Sequence, residues 1–543
     1  MNEKAHYILK KDIFKSPIFW VGLAVLLLIP TLFFPISADL SIYLMGGEAV
    51  LHGKKLYTDF IDIKPPIFYY TFAMIVKFFG RSEMGIRVFD IILQSITAFL
   101  IFRTIDINTK NRFFAGCAAI LYSVIYTTMG YSQTLQGEAL ITPMIMAVLY
   151  FQISTKQSIL RYIASGIMIG FAIGIKYPLG IILLFVIFDD LLSRKMSFKK
   201  ILFKDFVISA TALVVFVLSL ATLLDKDVFK GFMLITDLVA KYSSRPALDS
   251  QYLVFSLNKI AEFLGDNISL LITGSVLVTI FLLITRKIED EKTYQLLSKT
   301  LLFALFFTLS IFVERKFHEY YFVRMLPLWV ILASFSITYL FKQLRLNYSK
   351  YDNISKFTVI VILALSFYFS PALRYVFRAK NAVSYVVNRE KYNLENEKFS
   401  LASYRVQWLD VSNYLNKQLH NYDYQPFLLN IQTGSGPINY FTPKFKHSAF
   451  QQSQFYFSVE APKYWQDMFF KELKQADFLC IETDDTHSTI TGHSFSSSSY
   501  VFEQKGNSFA DEIKDYINEN FSVVHQAANF NVYERVTKAT ILN

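Results

Sequence analysis

The stretch that decides the fold is Ser37–Tyr70, SADLSIYLMGGEAVLHGKKLYTDFIDIKPPIFYY, which follows the first apolar run of the chain. It holds four acids, three lysines and a Pro-Pro pair between two apolar segments. Asp39 lies only a few residues beyond the end of the first apolar run. Ionisable groups at a membrane boundary are costly and tend to be functional. The stretch therefore predicts a functional loop at a membrane surface.

Local signals divide this loop into two segments. Ser37 is a good N-cap, so we expect a helix from Ala38 to about His52 with Asp39 in its first turn. Lys64-Pro65-Pro66 ends one segment and starts the next, because proline fixes φ and lacks an N–H. Residues 66–79 are apolar but short and contain Lys77. They predict a re-entrant or interfacial helix, with a tilted span as the alternative.

The composition of the whole chain excludes an ordinary soluble protein. Of its 543 residues, 53% are hydrophobic and only 18% are charged, and long uncharged runs are typical of a polytopic α-helical membrane protein. Two cysteines in different regions predict neither a disulfide framework nor a zinc site. The apolar runs predict eleven transmembrane helices, at 18–36, 83–102, 113–129, 138–154, 162–175, 178–192, 206–223, 268–285, 300–313, 325–341 and 357–373.

The basic residues indicate topology rather than nucleic-acid binding. With a cytoplasmic N-terminus, the inner loops carry 22 Lys and Arg against 8 acids. This surplus accounts for the whole net charge of +11 and follows the positive-inside rule. Because no small-residue cleavage site follows the first apolar run, we expect an uncleaved first span. Asp39 and the C-terminus are then expected outside the cell, and no nucleic-acid partner is expected.

The tail of the chain has a different character. Residues 1–373 are expected to form the transmembrane domain, whose outer loop 224–267 is long enough to be a lid. Residues 374–543 are polar with short apolar strands, which predict a soluble extracytoplasmic α/β domain. We expect Gly434-Ser435-Gly436 to be a loop, because no helical pattern follows these residues. The predicted elements are helices at 405–419 and 510–520 and strands at 426–431, 477–481, 521–525 and 530–533.

The loop pattern resembles that of a known family. Asp39, then Tyr43, then Gly53-x-x-Leu56-Tyr57-x-Asp59 and Lys64-Pro65-Pro66 are similar to the first external loop of polyprenyl-phosphate-sugar glycosyltransferases with the GT-C fold. These are bacterial relatives of protein O-mannosyltransferases (glycosyltransferase family 39) and of the lipid A aminoarabinose transferase. Many members place Glu after the first acid, whereas this chain has Leu40. A second likeness lies around the turn Gly174–Pro178, where Gly166, Gly170, Lys176 and Pro178 resemble a further motif of the family.

The resemblance implies an enzyme of the bacterial cytoplasmic membrane that transfers a hexosyl or pentosyl group from a polyprenyl-phosphate donor to a lipid, glycan or protein hydroxyl. It implies that Asp39 is the general base and that Glu138 is a second catalytic acid. A single displacement would invert the anomeric centre. No cofactor is required, although other GT-C branches use a divalent metal. The implied substrate-binding residues are Tyr43, Tyr57, Asp59, Lys64, Arg87, Lys176, Arg315, His318, Tyr321 and Arg324.

Each of these residues also has a structural interpretation. In this interpretation, Asp39 merely caps a helix, and Glu138 pairs with a lysine at the membrane boundary. The cations can contact lipid headgroups, His318 can belong to an interfacial aromatic belt, and Arg87 can pair with Glu83 one turn away. The alternative functions are a transporter, which would place its charges near the midplane, and a non-catalytic membrane scaffold.

Overall fold

The computed structural model describes most of the chain, and all structural statements below concern that part. The described residues are 16–154, 158–193, 197–244, 250–264, 270–314, 318–347, 371–387, 401–431, 436–451, 456, 461–482, 508–527 and 529–536. Two expectations lie largely or wholly outside them, namely the last predicted span at 357–373 and the role of Arg315.

The described residues of the first three quarters of the chain are mainly helical. Four described stretches between these helices form 3-10 turns, namely Ile29–Phe33, Tyr177–Gly180, Ala221–Leu224 and Glu319–Met325. The helices are α1 Pro17–Leu26, α2 Ala38–Leu51, α3 Pro66–Phe79, α4 Glu83–Thr109, α5 Arg112–Thr128, α6 Gly137–Ile153, α7 Ile159–Ile175, α8 Ile181–Ser193, α9 Phe198–Ser219, α10 Lys226–Ser244, α11 Ser250–Phe263, α12 Leu270–Ile284, α13 Glu291–Glu314, α14 Leu326–Asn347 and α15 Pro371–Val387.

Among the described residues, four helical stretches are long and apolar enough to cross a membrane, or five if a bent pair counts as one span. Shorter apolar helices, such as α5 and α6, accompany them. The prediction of a polytopic helical protein is thereby confirmed, whereas the number of eleven crossings stays a prediction. The expected lid at 224–267 contains the helices α10 and α11, and its role stays a prediction.

The described residues fall into two compact units. The first, the helical unit, takes its residues from 1–35, 82–220 and 248–391. The second, the mixed unit, takes them from 36–81, 221–247 and 392–543. The loop that carries Asp39 therefore groups with the C-terminal part of the chain, although hundreds of residues separate them in sequence.

Close helix packing characterises the helical unit. A Cβ added at Gly170 of α7 would lie 2.7 Å from the carbonyl oxygen of Ala212 in α9. Only glycine lets the two backbones approach this closely, as in small-xxx-small pairs of membrane helices. Gly166 stands one turn earlier on the same face and meets Thr211 in the same way. The pair thus fixes α7, whose end leads to Lys176.

The mixed unit is built around a five-stranded sheet. Its strands are β1 Phe427–Ile431, β2 Lys446–His447, β3 Phe478–Glu482, β4 Phe521–Ala527 and β5 Phe530–Arg535, in the order β2-β1-β3-β5-β4. The first three are parallel, and β3–β5–β4 are antiparallel. Its further helices are α16 Leu401–Gln418, α17 Gly436–Phe441, α18 Lys463–Gln475 and α19 Ser508–Asn520. The predicted α/β domain is confirmed.

Three elements of this unit differ from the sequence-based expectation. The stretch after Gly434 was expected to be a loop, but α17 begins at Gly436, so that expectation was wrong. The helix α18 and the strand β2 had not been predicted at all. The core packs α16 against the sheet, through Trp408, Val411 and Leu415 on one helical face and Leu428 and Phe478 on the strands.

The loop 36–81 is tied to this sheet by backbone and side-chain bonds. The Ile61 amide donates to the carbonyl of Ala449 at 2.8 Å, which extends the edge just beyond β2. Arg81 pairs with Glu48 of α2, and its Nη1 donates to the carbonyl of Tyr440 in α17 at 2.5 Å. The helix α2 is therefore held by the domain that the end of the chain forms.

Candidate active site

Asp39 stands in the first turn of α2, as the Ser37 signal predicts. The Ser37 hydroxyl accepts a hydrogen bond from the Leu40 amide at 3.2 Å, and the helix runs to Leu51. The Asp39 side chain is half-buried. A carboxylate at this position is stabilised by the positive end of the helix dipole. The observed cap therefore holds Asp39 at a fixed place in the mixed unit.

Aromatic and basic residues of the same loop lie close to one another. The Lys64 Nζ lies 5.2 Å from the centre of the buried Tyr43 ring. The Tyr57 hydroxyl donates to the carbonyl of Lys64 at 2.8 Å. A cation at this distance from a ring face is attracted to it. The structure therefore brings Tyr43, Tyr57 and Lys64 into one cluster.

The other two acids of the loop have different surroundings. The Asp59 carboxylate accepts from the Lys55 amide at 2.9 Å and shapes a turn. Asp62 is completely buried, and the Tyr69 hydroxyl donates to its Oδ2. Burial raises the pKa of Asp62, although Tyr69 and Lys64 oppose that effect.

A second cluster lies in the helical unit, where the start of α6, the ends of α7 and α13, and the 3-10 turn Glu319–Met325 lie near one another. Lys176 follows the last residue of α7, and its Nζ contacts Glu138 from the first turn of α6. The same Nζ lies 2.7 Å from the Glu314 Oε2 at the end of α13. It also stands 3.5 Å from the centre of the Tyr321 ring. Glu138 thus has the lysine partner that its structural interpretation predicts.

Arg324 completes this cluster from the 3-10 turn before α14. Its side chain is completely buried, and its Nη1 donates to the Glu314 Oε1 at 2.5 Å. Its Nε and Nη2 are also buried and have no hydrogen-bond partner in the described part of the chain. The His318 ring lies 5.6 Å from the Tyr321 ring. Five predicted site residues therefore meet here: Glu138, Lys176, His318, Tyr321 and Arg324.

Glu314 is the member of this cluster that sequence reasoning missed. It bridges Lys176 and Arg324, so the cluster holds two cations and two carboxylates within the described residues. An acid at the end of an apolar run, directly before Arg315, was the available signal. A buried arginine with two unpartnered nitrogens among the described residues, next to a lysine, forms a site for an anion.

Arg87 lies elsewhere in the helical unit. Its guanidinium donates to the carbonyls of Phe34 at 3.1 Å and Pro35 at 2.6 Å. Its nearest carboxylate in the described residues is that of Asp90 at 3.7 Å. These contacts suit a residue that holds the segment after α1, with Asp90 in the role expected of Glu83. A substrate contact of Arg87 stays a prediction.

Metal binding has no obvious candidate site in the described ranges. Within them, no group of three His, Cys, Asp or Glu side chains is arranged to hold a metal ion. Carboxylates that are paired with Lys176 and Arg324 are poor metal ligands, because the cations already neutralise them.

The chain has the GT-C fold. The chain superimposes on ArnT from Cupriavidus metallidurans, solved with undecaprenyl phosphate, with a TM-score of 0.58 and 13% identity over 96% of this chain and 98% of that one. The apo form of ArnT gives a TM-score of 0.54 at 13% identity, with 96% and 97% of the two chains covered. An oligosaccharyltransferase from Archaeoglobus fulgidus, tethered to an acceptor peptide, gives 0.51 at 11% identity, with 96% and 74% covered.

Sequence comparison gives a more local match. Residues 63–221 match the model of the dolichyl-phosphate-mannose-protein mannosyltransferase family. No curated protein sequence matches the chain. The predicted resemblance to GT-C glycosyltransferases is confirmed by this match together with the fold.

Proposed function

We propose that this protein is a membrane glycosyltransferase that moves a sugar from a polyprenyl-phosphate donor to a hydroxyl group of a lipid, glycan or protein. The GT-C fold and the match to a mannosyltransferase family support the reaction class. ArnT has been solved with undecaprenyl phosphate, which supports a lipid-linked phosphate as the donor here. The distribution of Lys and Arg supports a cytoplasmic N-terminus and transfer on the outer face of a bacterial cytoplasmic membrane.

The observation that carries the proposal is the buried guanidinium of Arg324. Its Nε and Nη2 have no hydrogen-bond partner among the described residues. Its Nη1 pairs with the Glu314 carboxylate, which also pairs with Lys176. A buried donor without a partner costs free energy, so the site is built for a further acceptor. A phosphate oxygen is the natural one, because guanidinium and phosphate bind in a charge-assisted and often bidentate way.

The chemistry then divides between the two clusters. Lys176 and Arg324 hold the donor phosphate and neutralise the charge that develops as the sugar–oxygen bond breaks. Asp39 takes the proton of the acceptor hydroxyl as its oxygen attacks the anomeric carbon. Phosphate leaves with the bonding electron pair and needs no acid, and one displacement inverts the anomeric centre. Glu138 holds Lys176 in place.

Substitutions at Arg324 and Glu314 should change the affinity for the donor phosphate in opposite directions. The Glu314 carboxylate contacts both Lys176 and Arg324, so it competes with an incoming phosphate. Arg324→Gln removes donors and should weaken binding of undecaprenyl phosphate about 10- to 100-fold, since a hydrogen bond to a charged group contributes about 1.5–3 kcal/mol. Glu314→Gln removes the competitor and should strengthen binding.

The experiment uses the purified protein in lipid nanodiscs. The affinity for undecaprenyl phosphate is titrated for both variants and for Lys77→Ala, an exposed lysine of α3 that serves as the control. Transfer is followed with a radiolabelled polyprenyl-phosphate sugar and a cell-envelope extract, and mass spectrometry identifies the product. Unchanged affinity in both Arg324→Gln and Glu314→Gln would overturn the phosphate assignment. In a separate assay with sealed proteoliposomes, movement of the labelled lipid across the membrane without any product would favour a transporter.

A further inference from the structure

The C-terminal domain contains a cleft that the transfer reaction leaves unused. It has a volume of about 510 Å³ and lies between the edge strand β2 and the helix α18. This volume falls in the range of small-molecule binding pockets. Its lining residues are Phe427, Lys446, His447, Tyr464, Asp467, Met468, Lys471, Glu472 and Gln475.

The helix α18 contributes to the cleft through one continuous face. Positions 464, 467, 468, 471, 472 and 475 follow the three- and four-residue spacing of a single helical stripe. The opposite stripe, Trp465, Phe469 and Leu473, is buried in the core. The core stripe fixes the helix, so the polar stripe is presented on a rigid support rather than on a loop.

The charges of the lining balance one another. Lys446 and Lys471 face Asp467 and Glu472, and burial lowers the pKa of His447 to about 4, so its ring is neutral at neutral pH. The Ser448 hydroxyl donates to the Glu472 Oε2 at 2.6 Å and orients that carboxylate. None of these four charged groups has a buried polar atom without a partner among the described residues, as Arg324 has, so the cleft does not favour an anion. It does offer donors and acceptors side by side, which a polyhydroxylated neutral molecule can use.

Apolar and aromatic groups complete the cleft. Tyr464 is 60% exposed at the rim. Phe427 forms the wall, with the Lys446 Nζ 5.2 Å from its ring centre. The His447 Nε2 bonds the Thr442 carbonyl at 2.8 Å, while its buried Nδ1 has no partner among described residues. An exposed ring beside fixed carboxylates and amides suits the apolar face and hydroxyl rim of a sugar ring.

An extended peptide fits this place less well. A peptide would add to the free edge of a strand, but β2 has only two residues. Just beyond it, the Ile61 amide bonds the Ala449 carbonyl at 2.8 Å, and the Gln451 amide bonds the Ile61 carbonyl at 3.4 Å. The edge that a peptide needs is therefore already covered within the same unit.

We propose that the cleft between β2 and α18 binds a neutral oligosaccharide through Tyr464, Asp467 and Glu472. Binding itself is independent of the transfer reaction. The role that follows, docking of a glycan that is or carries the acceptor, rests on the proposed function. If the cleft docks the acceptor, then the acceptor is a glycan or glycoconjugate rather than an unmodified peptide.

The test measures binding without any donor, on the full-length protein in nanodiscs, by saturation-transfer NMR. The probes are neutral di- to tetrasaccharides of glucose, mannose and N-acetylglucosamine, an oligogalacturonate as the anionic counterpart, and a serine-rich peptide. We expect at least one neutral probe to bind. Tyr464→Ala and Asp467→Asn should each weaken it about tenfold or more, because each removes a direct contact. Both residues are exposed, so the fold is retained.

Two control variants sharpen the result. Tyr464→Phe keeps the ring and should keep most of the binding. Asp511→Asn changes another exposed acid with a nearby lysine on a helix of the same domain, and should have no effect. The proposal is overturned if no neutral probe binds, if binding is equal in Tyr464→Ala, or if only the anionic probe or the peptide binds. Because Arg324→Gln is scored by donor affinity, failure of the cleft and failure of the transferase proposal are distinguishable.

Discussion

Replacing Gly436 with alanine should move the helix that carries Asp39. Gly436 opens α17 and packs on the first turn of α2. A Cβ at this position would contact the Ser41 hydroxyl and would lie 2.5 Å from the Ile42 Cγ1 and 2.9 Å from the carbonyl oxygen of Ala38. The Ala38 oxygen belongs to the backbone, so rotation of a side chain cannot relieve the clash.

The size of the effect follows from these distances. Non-bonded carbon atoms prefer a separation of about 3.5–4.0 Å, so α2 or α17 must retreat by about 1 Å. Such overpacking costs about 1–3 kcal/mol of stability. A misplacement of about 1 Å can reduce turnover about 100-fold. If Asp39 is the base, Gly436→Ala should lower the transfer rate about 10- to 100-fold.

The assay separates positioning from unfolding. Single-turnover transfer, affinity for undecaprenyl phosphate and the thermal midpoint are measured on the same preparation in nanodiscs. Donor affinity should stay unchanged, because Lys176 and Arg324 belong to the helical unit. The control is Gly274→Ala, where an added Cβ meets nothing within 4 Å. Normal turnover in Gly436→Ala, or an equal loss of donor affinity, would refute the reasoning.

Two further changes test the base and the domain around it. Asp39→Asn should reduce turnover by about 10²–10⁴ while the donor still binds, and Asp59→Asn, whose carboxylate accepts a hydrogen bond from the Lys55 amide in a turn, should be far milder; equal effects in a transfer assay would contradict the assignment. His447 has a pKa of about 4 in the fold, below its unfolded value, so its contribution to stability is complete above about pH 6.5 and is lost as the pH falls towards 4. The loss should reach about 2 kcal/mol at pH 5, and limited proteolysis of the C-terminal domain at pH 5 and 7.5 should show it in the wild type but not in His447→Gln.

Local signals made the membrane helices and the first turn of α2 predictable. The Ser37 cap acts within three residues, and apolar runs reveal helices without knowledge of their partners. The strands β1, β3, β4 and β5 were predictable for the same reason. By contrast, β2 is only two residues long, and it exists because β1 pairs with it. The helix α18 was open to prediction from Trp465, Phe469 and Leu473, which recur every four residues on its buried face.

The candidate site was predictable residue by residue but not as an arrangement. The resemblance pointed to Glu138, Lys176 and Arg324 individually, yet only the fold shows that Glu314 joins them. Ion pairs between helices far apart in sequence leave no periodic signal. The same holds for the grouping of the Asp39 loop with the C-terminal domain, since it depends on contacts such as Ile61 with Ala449.

The pairing of Ile61 with residues 449–451 also determines when the Asp39 loop can complete its folding during synthesis. A ribosome adds about 5–20 residues per second, so about 20–80 s pass between the synthesis of the Asp39 loop and that of the strand edge it joins. During that interval the loop has left the ribosome without its partner, and α2 lacks the contact from α17 that fixes its first turn. The helix that carries Asp39 therefore acquires its final surroundings only after residues 436–451 have been synthesised, and a nascent chain that stops before them would reach the membrane before it could act on its substrates.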